Sequence, residues 1–222
     1  MTENSKPSLS RMVLVPALLT LAVTLVRLAG ELMRWSPSLF NRDPGGGGAL
    51  VGIVWLIPVF GIYFALKLAS AGRGPASVGR ALGWAGLGFV LNTALGFGSF
   101  ALVKSPVAQL GIFTVTSWLA ILVARPGWPA LWRALLAYGF AARVPVLLVM
   151  LFAIFGGWDT HYAKPRPDFP AMGPWGIFFW TAFLPQMAIW IYLTVVGGLL
   201  FGALAVGVRR LVSKPAAAPA GA

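Results

Sequence analysis

Apolar runs of about twenty residues, separated by short polar or basic segments, make up most of the chain. A helix needs about 20 apolar residues, within a range of about 17–25, to cross the hydrocarbon of a bilayer. Segments 12–30, 49–69, 81–102, 107–124 and 134–157 meet that requirement. The stretch 169–208 differs, because its 40 residues carry no charge. A straight helix of that length would run about 60 Å at 1.5 Å per residue, and Pro185 interrupts it. The pattern predicts an aromatic-rich interfacial helix over 173–184 and a sixth span over 186–208, with Trp175 and Trp180 in the interfacial belt. A seven-span alternative folds 169–208 into a hairpin, but no turn-rich polar break supports it. The expected fold class is all-α: a polytopic integral membrane protein, a bundle of six transmembrane helices with an interfacial helix before the last span. Residues 1–11 read as a disordered cytoplasmic tail, and 209–222 as a basic, then Ala/Pro-rich, cytoplasmic tail.

Composition narrows the chemistry. Of 222 residues, 59% are hydrophobic and 10% charged, against about 25% charged in a soluble domain. Collagen-like and intrinsically disordered classes are excluded by the same figures. The chain has no cysteine, which removes disulfides, Cys-ligated zinc, iron–sulfur clusters and thiol nucleophiles. One histidine excludes a two-histidine metal or haem site within one subunit, and no cofactor is expected.

The net charge of +12 would suggest nucleic acid on a soluble chain. Here the basic residues sit between apolar runs, the distribution of the positive-inside rule, so no nucleic-acid partner is expected. With six spans, one side holds Lys6, Arg11, Lys67, Arg73, Arg80, Arg125, Arg133, Arg209, Arg210 and Lys214, ten in all. The other side holds Arg34, Arg42, Lys104, Lys164 and Arg166, five in all. The ten-to-five ratio places both termini in the cytoplasm. Four acids, Glu31, Asp43, Asp159 and Asp168, fall on the outer side and only Glu3 inside. Twelve Arg against five Lys, amid abundant Ala and Gly, suggest GC-rich coding and a bacterial inner (plasma) membrane. The N-terminal apolar run is interrupted by Arg27 and is followed by no small-x-small cleavage site, so it reads as a retained span rather than a signal peptide.

Gly74–Gly88 and Gly127–Ala141 share an Arg-Ala-Leu step, at Arg80 and Arg133. Parallel repeats occur in transporter folds, although any basic loop entering an apolar helix has this look. On these two segments and the tight basic loops, the chain resembles the Yip-type family of small multi-spanning proteins. The likeness carries no specific motif, so no residue role follows from it.

Candidate chemistry is sparse. Arg143 lies nine residues into the fifth span, about 13 Å deep, where an arginine costs about 2.5–3.5 kcal/mol on insertion scales. No span holds Asp or Glu, so the partners on offer are Asn92, Gln186 and the Ala141 carbonyl freed by Pro145. Such a residue marks either an anion or headgroup site, or a structural contact. Arg27 and Glu31 are spaced to pair along one helix face, with Arg34 three further on.

Segment 158–174 holds the one histidine, His161, beside Asp159 and Thr160. A hydrolase would need a nucleophile positioned by this His, and a metal site would need Glu31 or Asp43 as a further ligand. The simpler reading is a proline-stiffened cap. Gly45–Gly48 suits an anion nest or a hinge. Gly79, Gly83, Gly86, Gly88, Gly197, Gly198 and Gly202 suit close helix packing. Loops 31–48 and 158–174 together hold four acids, His161 and four bases, so they are expected to meet in one polar cap over a pocket leading to Arg27.

These features support first a non-catalytic membrane subunit or organising protein, binding lipids, other membrane subunits or a second copy of itself. The alternative is a small transporter or channel-like protein for an anionic or polar solute, with Arg143 lining the path. A third reading is a membrane enzyme acting at the outer face near His161. A cavity around Arg143 discriminates in favour of the second.

Overall fold

The structure, a computed structural model, describes residues 8–213. Among these the chain is helical and contains no strand. Five helices are long and apolar enough to cross a membrane: α1 (Leu9–Leu32), α3 (Val78–Leu102), α4 (Pro106–Ala124), α5 (Pro129–Phe155) and α6 (Pro174–Val212). A shorter helix, α2 (Leu56–Ser70), completes the bundle. Of the expected tails, residues 9–11 and 209–212 are helical; 1–7 and 214–222 lie outside the described residues.

Local chemistry sets the helix starts. Ser8, Ser77 and Ser105 accept the backbone N–H of Arg11, Arg80 and Ala108, respectively, as N-cap serines do. Proline opens α4, α5 and α6, where its missing N–H costs nothing. α1 ends in a Schellman arrangement: Trp35 N–H donates to the Gly30 carbonyl and Arg34 N–H to the Glu31 carbonyl. Arg34 occupies the left-handed position, at φ 55°.

Two expectations are corrected. The segment 49–69 is not one helix. Residues 47–55 form turns and bends, and only Leu56–Ser70, 15 residues, is helical. The run of glycines up to Gly52 and the absence of any side-chain cap at Trp55 leave the first half of this segment without a helical nucleus.

Nor does Pro185 separate an interfacial helix from a span. α6 continues through it for 39 residues. Its turns widen to π-helical geometry at Phe178–Phe183, Pro185–Ile189 and Leu193–Gly197. A π turn relieves the clash of the proline ring with the preceding turn, so the helix need not break. No reversal occurs within 174–212, which excludes the hairpin on which the seven-span alternative depends.

The main core joins α2 to α6 around Phe64, Leu68, Ile121, Leu131, Ile191 and Leu199, all essentially inaccessible. α2 and α6 approach through glycine: a Cβ on Gly61 would lie 2.7 Å from the Gly198 Cα, and one on Gly202 would lie 2.7 Å from the Ala65 Cβ. Gly88 likewise meets the Ala120 carbonyl. Gly79, Gly83 and Gly86, expected at close contacts, instead face open space. Trp128 donates its indole N–H to the Arg73 carbonyl at 2.9 Å, and Arg209 bonds Ser70. The ends of α2, α4 and α6 and the starts of α3 and α5 therefore share one end of the bundle. The opposite end carries the loops after α1 and α5. Around the bundle, large apolar side chains point outward, including Leu14, Val90, Leu102, Phe152 and Val208. An apolar exterior of this kind suits a membrane-embedded protein.

Candidate functional site

The loops after α1 and α5 close one end of the bundle together. Asp159 accepts from Lys164 at 2.7 Å and pairs with Arg42, while Arg34 stands at 4.0 Å. Asp168 pairs locally with Arg166. The Lys164 hydrogen bond holds the Asp159 carboxyl below the ordinary carboxylate range, with Arg42 and Arg34 adding to the effect. Arg34 does not join the Arg27–Glu31 face, because its left-handed backbone ends the helix before it.

Beneath this layer, Glu31 is fully buried. Its Oε1 accepts from Arg27 Nε at 2.9 Å and contacts His161 Nδ1 at 2.5 Å, while Oε2 accepts the His161 backbone N–H at 2.9 Å. A carboxylate can only accept, so Nδ1 carries the proton. Burial pushes the His161 pKa down, against the pull of Glu31. Arg27 Nη2 also donates to the carbonyls of Gly46 and Asn41. Gly46 is irreplaceable here: its φ is +60°, and a Cβ would lie 2.7 Å from the His161 ring. Within the glycine run Gly46 is thus a close fit against Arg27 and His161, while Gly45, Gly47 and Gly48 face open space. Thr160 is buried with its hydroxyl unpartnered, so no nucleophile–histidine pair forms. Among the described residues no cluster of three metal-ligating side chains exists, and neither Asp43 nor any other acid joins Glu31 and His161.

Below the cap lies a cavity of about 480 Å³, walled by α1, α5, α6 and segment 45–55. This is within the range of about 300–1,000 Å³ typical of small-molecule sites. Arg27, Lys164, Arg166 and His161 stand around its cap end and Arg143 at its depth, and no acid lines it. Arg143 is 3% exposed. Its guanidinium lies over the Trp190 ring at 4.7 Å, and its Nε has no hydrogen-bond partner. No ion pair among the described residues includes it.

Gln186 shares the cavity with Arg143. Its Oε1 is unpartnered, and its amide nitrogen reaches only the Met150 sulfur at 3.5 Å. Asn92 does not share the cavity. It accepts from Thr116 at 2.7 Å in the contact between α3 and α4, with its own Nδ2 unpartnered.

Two participants escaped the sequence reading. Trp190 stacks on Arg143; its spacing of four residues from Gln186 was the available signal, since such residues share a helix face. The pattern predicts helix from residue 49, yet Gly52, Ile53, Val54 and Trp55 lie in turns and bends and line the cavity. α2 runs antiparallel to α5: Phe60 meets Tyr138 with ring centroids 5.2 Å apart, and Ile53 packs near Val146 and Met150. Leu56, the first residue of α2, therefore lies at the level of Ala142 and Arg143.

No family model, no curated protein and no solved structure matches the chain. The resemblance to Yip-type proteins gains no support from them.

Proposed function

We propose that the chain is a multi-pass membrane protein that binds an anionic solute inside its helical domain, as the substrate site of a small transporter or carrier. In this reading it sits in a bacterial inner membrane with the cap facing outward and both termini cytoplasmic. The observation that carries it is Arg143: a buried guanidinium, without an acidic partner, lining a cavity that no acid lines. Leaving an ion out of water costs several kcal/mol. A cation–π contact with Trp190 returns about 2 kcal/mol or somewhat more in a desolvated site, which is only part of that cost. The deficit is what a bound anion would relieve. Segment 47–55 supports the same reading, because irregular backbone at membrane depth is tolerated where it is buried in protein or lines a water-filled cavity. Discontinuous helices serve this purpose in transporters.

The test is the stability of the ligand-free protein. Arg143→Met should melt higher than wild type, by about 1 kcal/mol or more, roughly 2–4 °C for a chain of this size. Octanesulfonate should raise the melting temperature of wild type and leave the variant unmoved. A variant that melts lower would mean that Arg143 holds the fold together, and would sink the proposal.

A subunit role is favoured by one separate observation. Gly79, Gly83 and Gly86 leave α3 with a smooth open face, as a helix contacting another membrane helix would have. The two readings are compatible in one protein.

A further inference from the structure

The anion-binding reading leaves the class of solute open, and the charge arrangement of the cavity narrows it. Three of the four permanent cations lining the cavity already have a carboxylate at ion-pair distance, although Lys164 shares Asp159 with Arg42 and Arg34. Arg27 is paired with Glu31, Lys164 with Asp159 and Arg166 with Asp168. A ligand anion at the cap would compete with these carboxylates and with water, since Lys164 and Arg166 are 35% and 59% exposed, and would gain little there. Arg143 alone has no counter-charge.

The wall between the two levels is apolar. Val146 and Met150 follow Arg143 by one and two turns of α5, and Ile53 and Trp180 face the same space. On the far side of Arg143 the bundle is closed by Tyr138, Ile191 and Val195, which belong to the buried core. Tyr138 is tied there to Thr20 at 2.8 Å. A ligand can therefore extend from Arg143 only towards the cap.

At its charged end the ligand meets three things: the guanidinium, the Gln186 amide, which can turn either its oxygen or its NH2 inward, and the start of α2. That helix start lies at the same level; the N–H groups of Leu56 and Ile57 already donate to the Ile53 and Val54 carbonyls, so it favours an anion through its dipole alone.

Resting on the proposed anion site, we infer that the cavity takes a monoanion with one apolar body. Its carboxylate or similar group sits against Arg143, and its body lies along Val146, Met150, Ile53 and Trp180. The ligand enters charged end first. Leu50, Val54 and Trp55 line the cavity and are also more than half exposed on the outside of the bundle. The ligand can therefore be supplied from the bilayer, as a single-chain acid, or from the outer solution, as an aromatic acid.

The test uses the full chain in lipid nanodiscs. Tryptophan fluorescence is followed during titration with 11-bromoundecanoate and with 11-bromoundecanol, a quencher of the same length without charge. Trp55, Trp180 and Trp190 line the site and should be quenched. The acid should bind at least about tenfold more tightly than the alcohol, as expected of a charge-assisted hydrogen bond in a buried site. Undecanedioate should compete at least about tenfold less well than undecanoate, since its second charge must leave water for cations that already hold carboxylates. Arg143→Met should erase the preference for acid over alcohol while still binding the alcohol, which shows that the variant is folded; Arg143→Lys should keep part of the preference.

Competition by undecanoate but not 2-naphthoate indicates supply from the bilayer, and the reverse indicates supply from solution; either outcome supports the monoanion. If undecanedioate competes as well as undecanoate the single charge falls, and if acetate does the apolar body falls; where that competition depends on Arg143, the anion site itself stands. If acid and alcohol bind wild type equally, or the preference survives Arg143→Met, both the inference and the anion site fall.

Discussion

At the residue scale, the cap depends on a carboxylate held between two donors. Glu31 is inaccessible and accepts from Arg27 and twice from His161. Glu31→Gln leaves Arg27 buried without its counter-charge, a change that costs about 3–5 kcal/mol in comparable buried pairs; thermal unfolding measures it, and a loss below about 1 kcal/mol would show that the Gly46 and Asn41 carbonyls suffice. His161 adds a pH dependence whose sign follows from its depressed pKa. The folded state disfavours the imidazolium relative to the unfolded chain, so this group's contribution is complete above its ordinary value of about 6.5 and is lost as pH falls below it. The cap should loosen on acidification, not on alkalinisation. A cysteine replacing buried Thr160 reports this: its labelling by a methanethiosulfonate reagent, relative to one at exposed Ser38, should rise as pH drops from 7 to about 5. Unchanged relative labelling would remove His161 from the cap's energetics. The pairing of Arg27 with Glu31 was legible in the sequence, since four residues of helix put them on one face. The meeting of Glu31 with His161 was legible only as an excess of opposite charges in two loops, because no local spacing encodes a contact across 130 residues.

At the scale of elements, the apolar runs located every helix, and the errors fell where backbone chemistry overrides hydropathy. Segment 49–55 is as apolar as a helix, yet it is wound only from Leu56. α6 contains a proline, yet it runs on, because three widened turns absorb it. Hydropathy counts side chains and is blind to both effects. Both departures border the cavity, where Ile53, Pro185, Gln186 and Trp190 are found, in keeping with the placement of π turns at functional sites. Glycine content was equally uninformative about which glycines touch. Gly61→Ala should force α2 from α6, since its Cβ would lie 2.7 Å from the Gly198 Cα, at a cost of about 1–3 kcal/mol as for other overpacked sites. Gly83→Ala, with nothing within 4 Å of its Cβ, should gain about 0.5–1 kcal/mol of helix propensity. Paired melting curves in detergent decide this: equal shifts for the two would contradict the glycine contact.

For the whole molecule, the direction of each helix constrains the topology more tightly than counting spans does. α1 runs towards the cap, because Glu31 at its end meets His161. α2 returns, since Ser70 at its end meets Arg209 near the end of α6. α5 rises to the cap, and α6 descends from it without reversal to Val212. The first and last described helices thus begin and finish at the same end of the bundle. α2 is only 15 residues, about 22 Å at 1.5 Å per residue, short of a bilayer core of about 30 Å. In the proposed topology the irregular segment 47–55 covers the remainder, so that α2 and that segment together make the passage one helix would. The proposed topology then has an even number of passages, and in it the eight basic residues described at the end away from the cap, against five at the other, would put that end in the cytoplasm. Alkaline phosphatase fused after Val212 should therefore be inactive, and a fluorescent protein fused there should be bright, while cysteines at Ser38 and Asp168 should be labelled by an impermeant thiol reagent on intact cells. Because the chain has no cysteine of its own, each labelling signal has one source. An active phosphatase at the C-terminus, with Ser38→Cys still labelled from outside, would mean that α2 and segment 47–55 do not complete a passage. It would also move the mouth of the cavity away from the face on which the cap is proposed to lie.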